Sequence, residues 1–157
     1  MIACDSDEVD SLVPPGVDPH DYELRPPDVR KLASADVIVS TAHAPFEKVI
    51  REEVLRGEVR ALLVEIPRIE GVELRENPVT RQPNYHMPIY DPQNYLAFMR
   101  CMRDLLSELN PDCASTYERR YEDVEARVLS LVEGTPKVNV TAIACLLYTS
   151  PSPRDRG

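Results

Sequence analysis

The sequence predicts an α/β fold, an open parallel sheet with flanking helices, followed by a long helix. Three observations carry that prediction. Two short, unbroken apolar runs, Val37-Ile38-Val39-Ser40 and Ala61-Leu62-Leu63-Val64, read as strands buried on both faces. Segments with apolar residues at helical spacing alternate with them. Prolines and glycines then mark where helices start and where the chain turns. An order of strand, helix, strand, helix, strand is the pattern of parallel strands joined by right-handed crossovers.

Taken in order, Val9–Val13 is a short apolar segment stopped by Pro14-Pro15-Gly16, and it reads as a strand entering a loop. Pro27-Asp28 opens a helix over Asp28–Ala35 with Val29, Leu32 and Ala33 on one face. After the strand at Val37–Ser40, Pro45 starts a second helix that runs to about Arg56. Its apolar residues are Phe46, Val49, Ile50 and Val54, and Gly57 ends it. The strand Ala61–Val64 follows. Glu65 to Asp91 is a long loop with five prolines or glycines at Pro67, Gly71, Pro78, Pro83 and Pro88. A structureless loop of that length inside a domain is functional or disordered. Pro92 starts a helix carrying Tyr95, Leu96, Met99, Met102, Leu105, Leu106 and Leu109, which Asn110-Pro111 breaks. A second long helix, Asp112 to Glu133, carries Tyr117, Tyr121, Val124, Val128, Leu131 and Val132. Gly134-Thr135-Pro136 stops it, and Lys137–Ile143 reads as one more strand.

A chain of 157 residues suffices for one domain or one lobe of a larger protein. No run approaches the ~20 apolar residues of a membrane helix. The net charge of −9, with acidic and basic residues interleaved, excludes the basic face of a nucleic-acid binder. Cys4, Cys101, Cys113 and Cys145 form neither a CxxC pair nor a zinc-ribbon spacing. Cys101 and Cys113 could meet if the chain reverses near Asn110-Pro111; otherwise all four read as buried free thiols. Met1-Ile2-Ala3-Cys4 has the outline of a lipoprotein signal end, but nothing ahead of it could direct export.

The chemistry-bearing residues are three histidines, His20, His43 and His86. His20 lies in Asp18-Pro19-His20, His43 in Thr41-Ala42-His43-Ala44-Pro45, and His86 in Asn84-Tyr85-His86-Met87-Pro88. Each falls in a loop at the carboxyl end of a predicted strand, the edge where parallel sheets gather ligands. Imidazole nitrogen suits zinc, and suits manganese and iron when carboxylates join it. Neighbouring prolines restrict the backbone and lower the entropy cost of holding a ligand in place.

Two blocks resemble a known family. Leu12-Val13-Pro14-Pro15-Gly16-Val17-Asp18-Pro19-His20-Asp21-Tyr22-Glu23, with Pro27-Asp28-Val29-Arg30-Lys31-Leu32-Ala33-Ser34-Ala35-Asp36, looks like the N-terminal signature of the zinc/manganese (cluster A-I) solute-binding proteins of ABC transporters. Tyr85-His86-Met87-Pro88-Ile89-Tyr90-Asp91-Pro92-Gln93-Asn94 resembles their second histidine motif, with Tyr85 replacing a proline and one extra residue before Asp91. The resemblance covers Ile2 to Ile143. It implies His20 and His86 as metal ligands, with zinc, manganese or iron as the metal, and no catalytic residues. His43 stands where the family usually has Asn or Gly, so it is expected to back the site or serve as a minor ligand. Glu47 resembles a family glutamate and is expected to be structural, orienting a histidine. Asp18 and Asp91 are expected to shape turns and cap helices.

The family's metal lies between two lobes joined by a long helix, and two further ligands come from the C-terminal lobe. The implied division is an incomplete N-terminal α/β lobe over 1–110, a linking helix over 111–135 and the first strand of a missing C-terminal lobe over 136–144. Residues 145–157 resemble the Cys-Leu-Leu-Tyr-Thr-Ser-Pro-Ser-Pro-Arg-Asp peptide that arises when sequencing-adapter DNA is translated onto a truncated gene. The implied partners are the metal ion and the membrane permease of an ABC importer, for a monomer located outside the cytoplasm. The alternatives are a metal-dependent hydrolase and a non-functional truncated product. Against an enzyme, there is no HExxH, no Gly-x-Ser-x-Gly and no phosphate-cradling glycine loop among five glycines.

Overall fold

Val37–Ser40 (β1) and Leu62–Glu65 (β2) pair in parallel, with Val37 opposite Leu62 and Ser40 opposite Glu65. The computed structural model that shows this describes residues 2–86 and 88–134. Alternation along the two strands points side chains to both faces, and each face carries its own core. On one side Ile38 packs with Leu32, Ile50, Val59 and Ala61, flanked by Leu12, Phe46 and Leu63. On the other, Val37 and Val64 lie against Ile2, Met99, Met102, Tyr117 and Tyr121. Ile38 is buried and Val37, Leu63 and Val64 are half-buried, but Val39 and Leu62 are exposed, so the continuous apolar runs are not buried along their whole length on both faces as the sequence predicts.

The first core is built by α1 (Pro26–Ser34) and α2 (Pro45–Leu55). Both begin on proline, whose fixed φ suits the first helical turn. In α1 the buried residues are Asp28 and Leu32, while Val29 is exposed. Asp28 turns inward because Tyr22 Oη–H and Arg25 N–H both donate to its carboxylate, at 2.7 and 2.8 Å. In α2 Ile50 is buried between half-buried Phe46 and Val54, and Val49 faces solvent. Gly57, at φ +77°, reverses the chain after α2, a conformation that costs L-residues with a Cβ.

The second core is built by α3 (Pro92–Leu109) and α4 (Ala114–Gly134), joined through a short 3₁₀ turn at Pro111–Cys113. Tyr117 is fully buried and donates its hydroxyl to Asp7. Arg120 also reaches the N-terminal segment, at the Ala3 carbonyl and the Asp5 carboxylate. The thiols do not follow the sequence expectation: Cys4 is bonded to Cys113, with Cα atoms 6.2 Å apart, and Cys101 is free and half-buried. Sequence spacing favours near neighbours, whereas here the N-terminal segment packs against the start of α4.

The segment Val9–Val13 is not a strand. Leu12 packs on the first core, but Val9 is exposed, Asp10 pairs with Lys31 and Ser11 Oγ bonds Val13 O, so no ladder forms. The long loop is not structureless. Its middle folds back as a narrow antiparallel turn, with a bridge between Glu76 and Pro83, and 3₁₀ turns at Ile66–Arg68 and Pro88–Tyr90 close its ends. The predicted strand over Lys137–Ile143 and the tail from Cys145 lie outside the described residues. Among the described residues no helix is long and apolar enough to cross a membrane.

Candidate metal centre

Three loops meet at the carboxyl edge of the sheet, and each brings one histidine. Ring centroids are 4.0 Å apart for His43 and His86, 5.0 Å for His20 and His43, and 5.6 Å for His20 and His86. One nitrogen from each ring can be chosen so that all three lie within 4.8 Å of one another. His20 and His86 are exposed and His43 is half-buried.

His20 is held from both sides of its loop. The carboxylate of Asp18 accepts from the His20 backbone N–H at 2.9 Å and from Nδ1–H at 2.8 Å. That leaves Nε2 as the lone-pair nitrogen, the arrangement that orients a ligating imidazole. Two residues on, Tyr22 is buried, stacks edge-on against Phe46 at 5.3 Å and donates to Asp28, which fastens the loop to both α1 and α2.

His86 repeats the local geometry of His20. Asn84 Oδ1 accepts from the His86 N–H at 2.9 Å, an Asx turn two residues ahead of the imidazole. The rest of that loop is fixed by Asn94 in the first turn of α3. Its buried side-chain amide accepts from Glu73 N–H at 2.8 Å and donates to the Glu73 and Pro88 carbonyls, at 2.9 Å each. Asp91 caps α3 through Gln93 N–H and pairs with Arg75 at 2.6 Å.

His43 sits on the tightest of the three loops. Glu47, in the first turn of α2, is buried and accepts five hydrogen bonds from the chain ahead of it. Oε1 takes Ser40 Oγ–H and Thr41 N–H; Oε2 takes Thr41 Oγ1–H and the N–H groups of His43 and Ala44, all at 2.7–3.0 Å. Burial alone would raise the Glu47 carboxyl, but these bonds outweigh it and hold its pKa below the ordinary value. Ala42, at φ +56°, takes a left-handed conformation that costs a non-glycine residue ~1–2 kcal/mol, so the loop stores strain beside His43. Burial, then the nearby His86 and His20, pushes the His43 imidazole below its usual pKa, favouring the neutral form. Its Nε2 is buried and has no hydrogen-bond partner among the described residues.

All four residues singled out by the sequence therefore lie at one place, and Glu47 acts on the backbone of His43 rather than on an imidazole. Sequence reasoning passed over Asp18 as an orienting group and Asn94 as the anchor of the His86 loop. The repeated spacing in Asp18-Pro19-His20 and Asn84-Tyr85-His86 was the available signal for the first. Chemically, three imidazoles converging from separate loops make a nitrogen donor set for a divalent transition metal.

Comparison with known proteins points the same way. The family model described as "ZnuA: Zinc-uptake complex component A periplasmic" matches residues 1–136. The iron-binding protein YfeA of Yersinia pestis is 30% identical over 135 residues, which cover 83% of this chain and 41% of that protein. The metal ABC transporter substrate-binding lipoprotein ScbA of Streptococcus cristatus is 25% identical over 166 residues, 95% of this chain and 53% of that protein. The chain thus spans about half the length of the curated relatives it matches. Among solved structures, the crystal structure of ZnuA superposes with a TM-score of 0.66 at 25% identity, covering 83% of this chain and 49% of that one. Zn(II)-bound AdcA from Streptococcus pneumoniae shares the fold at a TM-score of 0.64 and 22% identity, over 83% of this chain and 27% of that one.

Proposed function

The chain belongs to the ZnuA family, and from that premise we propose that it binds a divalent transition metal outside the cytoplasm for delivery to an ABC importer. Its cargo is zinc, manganese or iron, its partner is the membrane permease, and it works as a monomer. His20 and His86 are the ligands of this reading. The observation that supports it best is their convergence: residues 66 positions apart in sequence place their rings 5.6 Å apart, each fixed by an Asx turn. Family membership adds that the relatives' printed names are those of metal-binding and metal-transport components.

The division into an N-terminal lobe over 1–110 and a linking helix over 111–135 is part of the same proposal. The family is one of transporter binding components, so the bound ion is cargo and no turnover is expected. Calorimetric titration of zinc and manganese into the chain and into His20→Ala tests the reading. Saturable heat that is lost or much weakened in His20→Ala is expected. Equal, nonzero heats for the two proteins would remove His20 from the site.

A further inference from the structure

We propose that His43 is a third metal-ligating side chain, so that His20, His43 and His86 form a three-imidazole face that prefers zinc-class ions to manganese. The inference rests on the metal-binding reading above and extends it to a residue and a selectivity which that reading leaves open.

The first argument is distance. Around a tetrahedral zinc with Zn–N of ~2.0–2.1 Å, ligand nitrogens stand ~3.3–3.4 Å apart. The three nitrogens here lie within 4.8 Å of one another, so an ion needs to draw them in by at most ~1.5 Å, within the reach of side-chain rotation. The second argument is the state of His43. A histidine packed for structure alone normally satisfies its buried nitrogens, because an unpaired one costs free energy. Among the described residues His43 Nε2 is buried without a hydrogen-bond partner, beside two other imidazoles, and a Lewis acid is the group that satisfies it. The third is preorganisation. Glu47 holds the backbone of residues 41, 43 and 44 from beneath, so the ring is presented rather than left to search.

Selectivity follows from the donor set. The grouped side chains are all imidazoles, and the carboxylates at hand are engaged: Asp18 with His20, and Glu47 with its own loop. Nitrogen donors favour zinc and its late first-row neighbours, whereas manganese relies on carboxylate, carbonyl and water oxygen and binds weakest in the divalent series. Three protein ligands from this part of the chain leave a fourth position for water or for a donor from elsewhere.

Competition titration against a chromophoric chelator tests this, using zinc and manganese with the wild-type chain, His43→Ala, His43→Gln and His20→Ala. Far-UV circular dichroism checks each fold, and His43→Gln decides the matter should His43→Ala fail to fold. Both His43 variants are expected to lose at least ~10-fold in zinc affinity, the least that even an outer hydrogen-bonding partner of a metal site costs. Wild-type chain should hold zinc more tightly than manganese. Unchanged zinc affinity in the folded His43 variants, with His20→Ala weakened, would overturn the third ligand and leave the two-histidine reading standing. Unchanged affinity in all three variants would overturn both. Equal wild-type affinity for zinc and manganese would overturn the selectivity.

Discussion

Removing the Glu47 carboxylate should be the most damaging single change to the site that touches no imidazole. Its two oxygens accept from three backbone N–H groups, of Thr41, His43 and Ala44, and from the hydroxyls of Ser40 and Thr41. The hydroxyls can rotate to other acceptors, but the three N–H groups are fixed by the turn into α2. Hydrogen bonds to a charged group are worth ~1.5–3 kcal/mol each, part of which offsets the cost of burying the carboxylate. Loss of a helix-capping side chain alone costs ~1 kcal/mol. Glu47→Ala is therefore expected to cost ~3–4 kcal/mol. Glu47→Gln should still cost at least ~2 kcal/mol, because its amide NH₂ must face donors that now meet an oxygen. Urea denaturation followed by circular dichroism measures both losses, and zinc affinity should fall in parallel as the His43 loop loosens. A loss below ~1 kcal/mol for Glu47→Ala would mean that the loop is held by something other than this carboxylate.

Three further outcomes are expected. Cys4→Ser with Cys113→Ser opens a covalent loop with a sequence separation of 109, which chain entropy values at ~4–5 kcal/mol; the denaturation midpoint of the variant, or of the reduced protein, reads this out. Asp18→Ala frees His20 Nδ1 and should weaken zinc binding ~10- to 100-fold by calorimetry with little change in stability, since the pair is exposed. The Asp28 carboxyl is held below its ordinary 3.8 by Tyr22 Oη–H and Arg25 N–H, so its stabilisation is present above that value and lost as pH falls through the lower folded one. Asp28→Asn should flatten the acid limb of a stability-against-pH curve in that window.

Helices and strands were legible where one local rule governed them. Pro45 and Pro92 open helices as read, the first helix starts at Pro26 rather than at Pro27-Asp28, and the two apolar runs form β1 and β2 within a residue of their sequence bounds. What the sequence concealed depends on tertiary partners. Val9–Val13 has strand composition, but a strand exists only with a neighbour to bond, and its side chains pair elsewhere. Asp28 displaces Val29 from the inward face of α1 because Tyr22 supplies a buried hydroxyl for it. The Cys4–Cys113 pairing joins the N-terminal segment to the turn before α4, which no spacing rule reaches. Motif resemblance singled out His20 and His86, whose rings the fold brings to 5.6 Å of each other. The position of His43 beside them depends on the clamp by Glu47 and on the left-handed Ala42, and neither is visible as a pattern of residue types.

The proposed metal site stands or falls on His20 and His86 taking up one ion together. Side-chain ¹H–¹⁵N correlation spectra of the labelled chain, recorded through a zinc titration at neutral pH, read the imidazole nitrogens directly. One ring nitrogen of His20 and one of His86 are expected to shift together and saturate at one equivalent, with His20 Nδ1 remaining the protonated one. Zinc binding that leaves both rings at their metal-free positions would contradict the proposed site.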